Sequence, residues 1–135
     1  TGLPNYLEQH TSAISQNSSE RAFQVIETMH RLKTGALIRV CAEGAAVLAG
    51  VSSEERSLLR KVGEDIGLAF QVADDLLDAN DANQDSRSFV GILGVSGTRS
   101  LLDQLSEQIC QNLRCLKYET RNLVQLVQYN QTRKL

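Results

Sequence analysis

Little in this sequence suits a β-sheet or a disulfide scaffold. It has no tryptophan, one proline, three phenylalanines and three tyrosines in 135 residues. A sandwich or barrel draws on aromatic and β-branched strands, so this scarcity favours an all-helical build. The three cysteines, Cys41, Cys110 and Cys115, are odd in number and lack a CxxC spacing. They read as buried or semi-buried free thiols in a reducing cytosol, which makes the expected location cytoplasmic. His10 and His30 belong to no HExxH or His/Cys cluster, so zinc is not expected. A formal net charge of -2 gives no electrostatic case for nucleic acid or a membrane surface as partner. No apolar run is long enough for a transmembrane segment, and no signal peptide is visible.

What is present is helical pattern almost throughout, on one domain's worth of chain. Residues 1–16 are polar and mixed and read as the tail of an earlier element. Asn17-Ser18-Ser19-Glu20 has the form of a capping box, predicting a helix start before Ala22, Phe23, Ile26, Met29 and His30. A second helix is expected over Lys33 to Ala49, rich in small residues and ended by Gly50. Ser52-Ser53-Glu54-Glu55 is another capping box. It precedes an apolar stripe of Leu58, Leu59, Val62, Ile66, Ala69, Phe70 and Ala73. Residues 79–88 (ANDANQDSRS) form a polar loop. Leu101, Leu102, Leu105, Ile109, Leu113 and Leu116 then predict a further amphipathic helix, and Leu123, Leu126 and Val127 a last one. The expected fold class is all-α, a helical bundle.

Two short segments carry the chemistry. In FQVADDLLD, Asp74 and Asp78 stack on one helix face with Asp75 beside them. Like charges at that spacing destabilise by roughly 0.2–0.5 kcal/mol per pair, and a helix C-terminus favours cations. The cluster therefore asks for a positive partner. Oxygen donors without histidine or thiolate point to magnesium. Gln71 and Phe70, three and four residues before Asp74, add an amide donor and an aromatic ring to that face. In HRLKTGALI, Lys33 offers a point charge and Thr34 a hydroxyl, while Gly35 and Ala36 allow close approach. Either segment alone is compatible with an ordinary solvated helix face. Together they suit a magnesium-bridged diphosphate attached to a hydrocarbon.

HRLKTGALI followed by GLAFQVADDLLD resembles the C-terminal half of a trans-isoprenyl diphosphate synthase, the farnesyl and geranylgeranyl diphosphate synthase (polyprenyl synthetase) family. The likeness runs from Glu27 through Asp78 and continues loosely through Phe89-Val90-Gly91-Ile92-Leu93-Gly94 and Arg99. The resemblance implies the isoprenoid synthase fold, a homodimer, and condensation of isopentenyl diphosphate with an allylic diphosphate. By the same likeness Asp74, Asp75 and Asp78 would be the second aspartate-rich, magnesium-binding motif, Asp74 foremost. Lys33 would hold the allylic diphosphate, Thr34 and Gln71 would place oxygen dipoles near the allylic cation, and Phe70 would line the pocket. The family's first aspartate-rich motif does not occur in these residues, and Arg87 is the only base in the loop after Asp78. Residues 1–135 are thus expected to be the C-terminal portion of the catalytic domain, with little synthase activity alone. A non-catalytic partner subunit and a class I terpene cyclase-like protein are the other readings. The Lys-Thr-Gly segment argues against the cyclase. Product chain length stays open.

Overall fold

The computed structural model describes residues 3–80 and 87–134, with side chains over 17–79 and 87–134. Helix α1 (Leu3–His30) runs through a π-helical turn, Arg31–Gly35, into α2 (Ala36–Ala49). Helix α3 (Ser53–Leu77) ends in a short 3-10 turn, Asp78–Asn80, and α4 (Phe89–Arg114) and α5 (Arg121–Thr132) complete the chain. The fold is all-α, with no strand among the described residues.

The helix ends follow capping chemistry where donors need it. Ser52 Oγ accepts the Glu55 N–H at 3.2 Å while the Glu55 carboxylate accepts the Ser52 N–H at 3.4 Å, the reciprocal box expected there. Gly50, at φ 67°, closes α2 as expected and donates to the carbonyls of Ala46 and Val47. Ser88 caps α4 through the Gly91 N–H at 3.0 Å. The box at Asn17–Glu20 starts nothing, because α1 already runs from Leu3 and covers the residues read as a tail. Inside a continuing helix each N–H is bound four residues back, so a capping side chain has no free donor to meet. Ser18, Ser19 and Glu20 simply face solvent. Of the expected polar loop, residues 81–86 lie outside the described residues.

Helix α3 is the centre of the bundle. Its Val62, Ile66, Ala69, Val72 and Ala73 are buried against Leu102, Leu105, Ile109 and Leu113 of α4, at helical spacings on both sides. Phe89, with no exposed surface, closes one end of this core. Its ring meets Phe23 edge-on at 5.8 Å and His30 at 5.4 Å, so one side chain ties α1 to α4. Helix α5 departs from expectation: Val127 is buried, but Leu123 and Leu126 are exposed, and the second buried position belongs to Asn130. The polar substitution holds because Asn130 Nδ2 donates to the Ala69 carbonyl at 3.1 Å, fastening α5 to α3. No helix is long and apolar enough to cross a membrane, among the described residues.

The thiols separate by burial. Cys110 is buried as expected, and its pKa is raised chiefly by desolvation, but Cys41 and Cys115 are exposed, Cys115 because it stands at the C-terminal cap of α4 beyond its packed turns. Iodoacetamide should alkylate Cys41 and Cys115 in the native chain and reach Cys110 only in denaturant. Peptide mass mapping that finds Cys110 modified as fast as the other two would contradict the packing of α4.

Candidate functional site

The two segments singled out by sequence meet where α1–α2 crosses α3. Glycine makes that crossing: a Cβ built on Gly67 would lie 2.6 Å from the Gly35 Cα, so the two backbones are in contact. Directly beside it, Gln71 Nε2 donates to Thr34 Oγ1 at 3.1 Å, joining residues of the two motifs. The π turn carries Lys33 and Thr34, and such turns occur frequently at functional positions. Asp65, almost completely buried on α3, anchors its start by accepting from Arg31 at 2.9 Å and from Lys61 at 2.7 Å. Glu27 accepts from the same Arg31 at 3.0 Å. Arg31 and Lys61 both reach solvent, so removing one partner costs less than the about 3–5 kcal/mol typical of a fully buried pair. Sequence reading passed over this network, although Lys61 stands one helical turn before Asp65, a legible pairing signal.

Lys33 itself is exposed, one residue from the Thr34–Gln71 bond. It sits at one end of a cavity of about 660 Å³ whose other walls are Arg21, Gln24, Val25, Thr28, Met29 and Leu32. The structure thus joins Thr34 to Gln71 directly, while Lys33 opens onto the α1 side of the crossing.

The three aspartates have three different environments. Asp74 is half-exposed and ion-paired with Arg133. Asp75 Oδ2 accepts the Phe89 N–H at 2.9 Å, turning this carboxylate toward the start of α4. Burial raises the Asp75 pKa, more than the Phe89 N–H and His30 lower it, and the charges of Asp74 and Asp78 add to the rise. Asp78, at the C-terminus of α3, is exposed. Phe70 is partly buried, with the Arg133 guanidinium 5.6 Å from its ring centre. Arg133 therefore meets both the acid and the ring, held by its Nε bond to Asn130 Oδ1 at 3.0 Å. Nothing in the sequence near the C-terminus marked Arg133 for this position.

Among the described residues no three acidic, histidine or cysteine side chains converge as a ready-made metal cage. Magnesium does not require one, since it is commonly held by one or two carboxylates together with substrate phosphates and water. Asp78, exposed, and Asp74, half-exposed and paired with Arg133, stand one turn apart and fit that requirement as hard oxygen donors. Asp75 has one oxygen engaged by the backbone of α4.

A comparison with known protein families takes in the residues of both segments. The polyprenyl synthetase family model matches residues 7–89. The chain is 28% identical over 116 residues to a farnesyl diphosphate synthase of Micrococcus luteus, covering 77% of this chain and 40% of the relative. It is 27% identical over 123 residues to geranylgeranyl pyrophosphate synthase 12, chloroplastic, of Arabidopsis thaliana, covering 82% of this chain and 34% of the relative. A dimethylallyltranstransferase of Fischerella ambigua is 28% identical over 117 residues, with 78% of this chain and 34% of the relative aligned. These alignments span well under half the length of the relatives, yet the family model takes in both motifs and most of the helices that carry them. On that match the chain belongs to the polyprenyl synthetase family.

Proposed function

We propose that this chain is the C-terminal part of a prenyltransferase that condenses isopentenyl diphosphate with an allylic diphosphate, of the farnesyl or geranylgeranyl diphosphate synthase type. The observation that carries the reading is the Thr34–Gln71 hydrogen bond, which joins the lysine and aspartate segments at a backbone crossing. Asp74 and Asp78 would hold the magnesium that a diphosphate substrate brings. When bound, magnesium supplies Lewis-acid neutralisation of the diphosphate, making it a better leaving group. Lys33 binds the diphosphate as a point charge. Thr34 and Gln71, already fixed against each other, present oxygen dipoles to the developing allylic cation without reorganising during the reaction. Phe70 lines the hydrocarbon pocket once Arg133 leaves its face. The released diphosphate takes the proton lost on condensation.

Exposed apolar side chains along α1 and α2, including Val25, Met29, Leu32, Leu37, Val40 and Leu48, support the view that further helices complete this bundle. The rest of the synthase, with the first aspartate-rich motif, covers them in this reading, and the assembly is a homodimer in the cytoplasm. A second reading, a non-catalytic partner subunit, is favoured by Arg133 occupying both Asp74 and Phe70. One assay separates the two. The polypeptide at the length its gene encodes is incubated with magnesium, isopentenyl diphosphate and radiolabelled dimethylallyl, geranyl or farnesyl diphosphate. A longer labelled product is expected, with residues 1–135 alone giving little. Failure to elongate any of the three primers would remove the synthase reading and leave the partner subunit.

A further inference from the structure

We infer that Arg31, through its ion pair with Asp65, is a positioning residue for the crossing: it holds the π turn in place so that Lys33 and Thr34 stay in register with Gln71. The consequence for catalysis rests on the synthase reading, whereas the register itself rests on geometry alone.

A π turn is a rare departure from α geometry, and this one is pinned to α3 at both ends. Gly35, its last residue, is in backbone contact with Gly67. Arg31, its first, donates from Nη1 to Asp65 at 2.9 Å, and Asp65 stands two residues before Gly67. Lys33 and Thr34 lie between the two pins, and Thr34 Oγ1 accepts the Gln71 amide at 3.1 Å. The pin at Gly35 is backbone. The pin at Arg31 is a single side chain, so it alone can be removed without touching the crossing.

The guanidinium is shaped for this task. Its Nε and Nη2 donate to Glu27 Oε1 at 3.1 and 3.0 Å while Nη1 reaches Asp65, so one rigid plane links α1 to α3. Asp65 is 1% exposed, and a charge at such a position gains little stability over a well-packed apolar pair. Its use here is to fix register, the role in which buried polar groups are best attested. Lys61 also donates to Asp65, at 2.7 Å, so removing Arg31 frees the turn without leaving the carboxylate alone. The extra residue can then migrate out of Arg31–Gly35. Lys33 and Thr34 turn about the helix axis by part of the roughly 100° that one residue spans, while Gly35 stays on Gly67. Arg39 pairs with Glu64 at 3.3 Å across the same rod and helix, but beyond Gly35, and so provides a matched control.

The test is nuclear magnetic resonance of the isotope-labelled chain. Two Overhauser contacts are followed: Gln71 side-chain amide to Thr34 methyl, and the α-protons of Gly35 to those of Gly67. Arg31→Met should lose the first and keep the second, and Arg39→Gln should keep both. If Arg31→Met does not fold by circular dichroism, Arg31→Lys keeps the charge on Asp65 but not the fork to Glu27, and should lose at least half of the first contact. An undiminished Thr34–Gln71 contact in the Arg31 variant, its loss in Arg39→Gln, or loss of both contacts together would overturn the inference. In the polypeptide at the length its gene encodes, Arg31→Met should lower kcat about 10- to 100-fold and raise KM for the allylic diphosphate, with KM for isopentenyl diphosphate within about twofold. Normal kcat and allylic KM would overturn the catalytic consequence. The contacts are read without turnover, so a polypeptide that elongates no primer ends the synthase reading while the register is still decided by resonance.

Discussion

Gly67→Ala is expected to destabilise the chain by about 2 kcal/mol, while Gly44→Ala stabilises it by about 0.5–1 kcal/mol. The two substitutions are chemically identical and both sit inside helices. Glycine to alanine in a helix interior ordinarily gains about 0.8–1 kcal/mol in propensity. At Gly44, on α2, an added Cβ meets nothing within 4 Å, so that gain should appear undiminished. At Gly67 the Cβ would lie 2.6 Å from the Gly35 Cα and 2.9 Å from the Gly35 nitrogen. Those are backbone atoms and cannot rotate aside, so α3 and the π turn must separate. Overpacking of this kind costs about 1–3 kcal/mol and occasionally more. Urea unfolding followed by circular dichroism measures both changes. A Gly67→Ala midpoint at or above wild type would show that the helices do not cross in contact here. Separation should also stretch the Thr34–Gln71 bond, so the same variant bears on the proposed chemistry.

Asp74→Ala should reduce condensation by the catalytically competent protein by on the order of 100-fold or more, as loss of a group that stabilises transition-state charge does. Helicity should be unchanged. Among the described residues the side-chain partner lost is Arg133, in a partly exposed pair, and such pairs contribute about 0–1 kcal/mol. Asp75→Ala should behave in the opposite sense for stability. It strips the acceptor from the N–H of Phe89, a fully buried residue, and an orphaned buried donor costs about 1–3 kcal/mol. Turnover and urea midpoint measured on both variants separate a ligand from a structural acid. Normal turnover in Asp74→Ala would end its metal role, and an undisturbed midpoint in Asp75→Ala would contradict the cap on α4.

The fold class was readable because its signals are local. The Ser52 box, the Gly50 cap and the stripe from Leu58 to Ala73 each depend on residues within one or two turns, and each stands where expected. The Asn17–Glu20 box failed for the complementary reason, since a capping motif is informative only where a helix has free donors. Leu123 and Leu126 misled because an exposed leucine costs little, whereas buried Asn130 is secured by a carbonyl 61 residues back in the chain, a partner no window contains. At the candidate site, the residue types of both segments were legible. The division of labour among Asp74, Asp75 and Asp78 was not, because it is set by Arg133 and by the backbone of Phe89, neither of which is local to them.

The π turn at Arg31–Gly35 has a bearing on how changes in length are tolerated. Winding more than 3.6 residues into a turn offsets the two flanking helices by up to one residue's rotation, about 100°. The side of α1 that meets Phe89 and the side of α2 that meets α3 are therefore out of phase along a single rod. Losing one residue from Arg31–Gly35 would restore an ordinary spiral and swing Phe23 and His30 off Phe89 while Gly35 stayed against Gly67. Gains and losses of residues should consequently be far less acceptable in this stretch than at the solvent-facing end of α2 near Gly50.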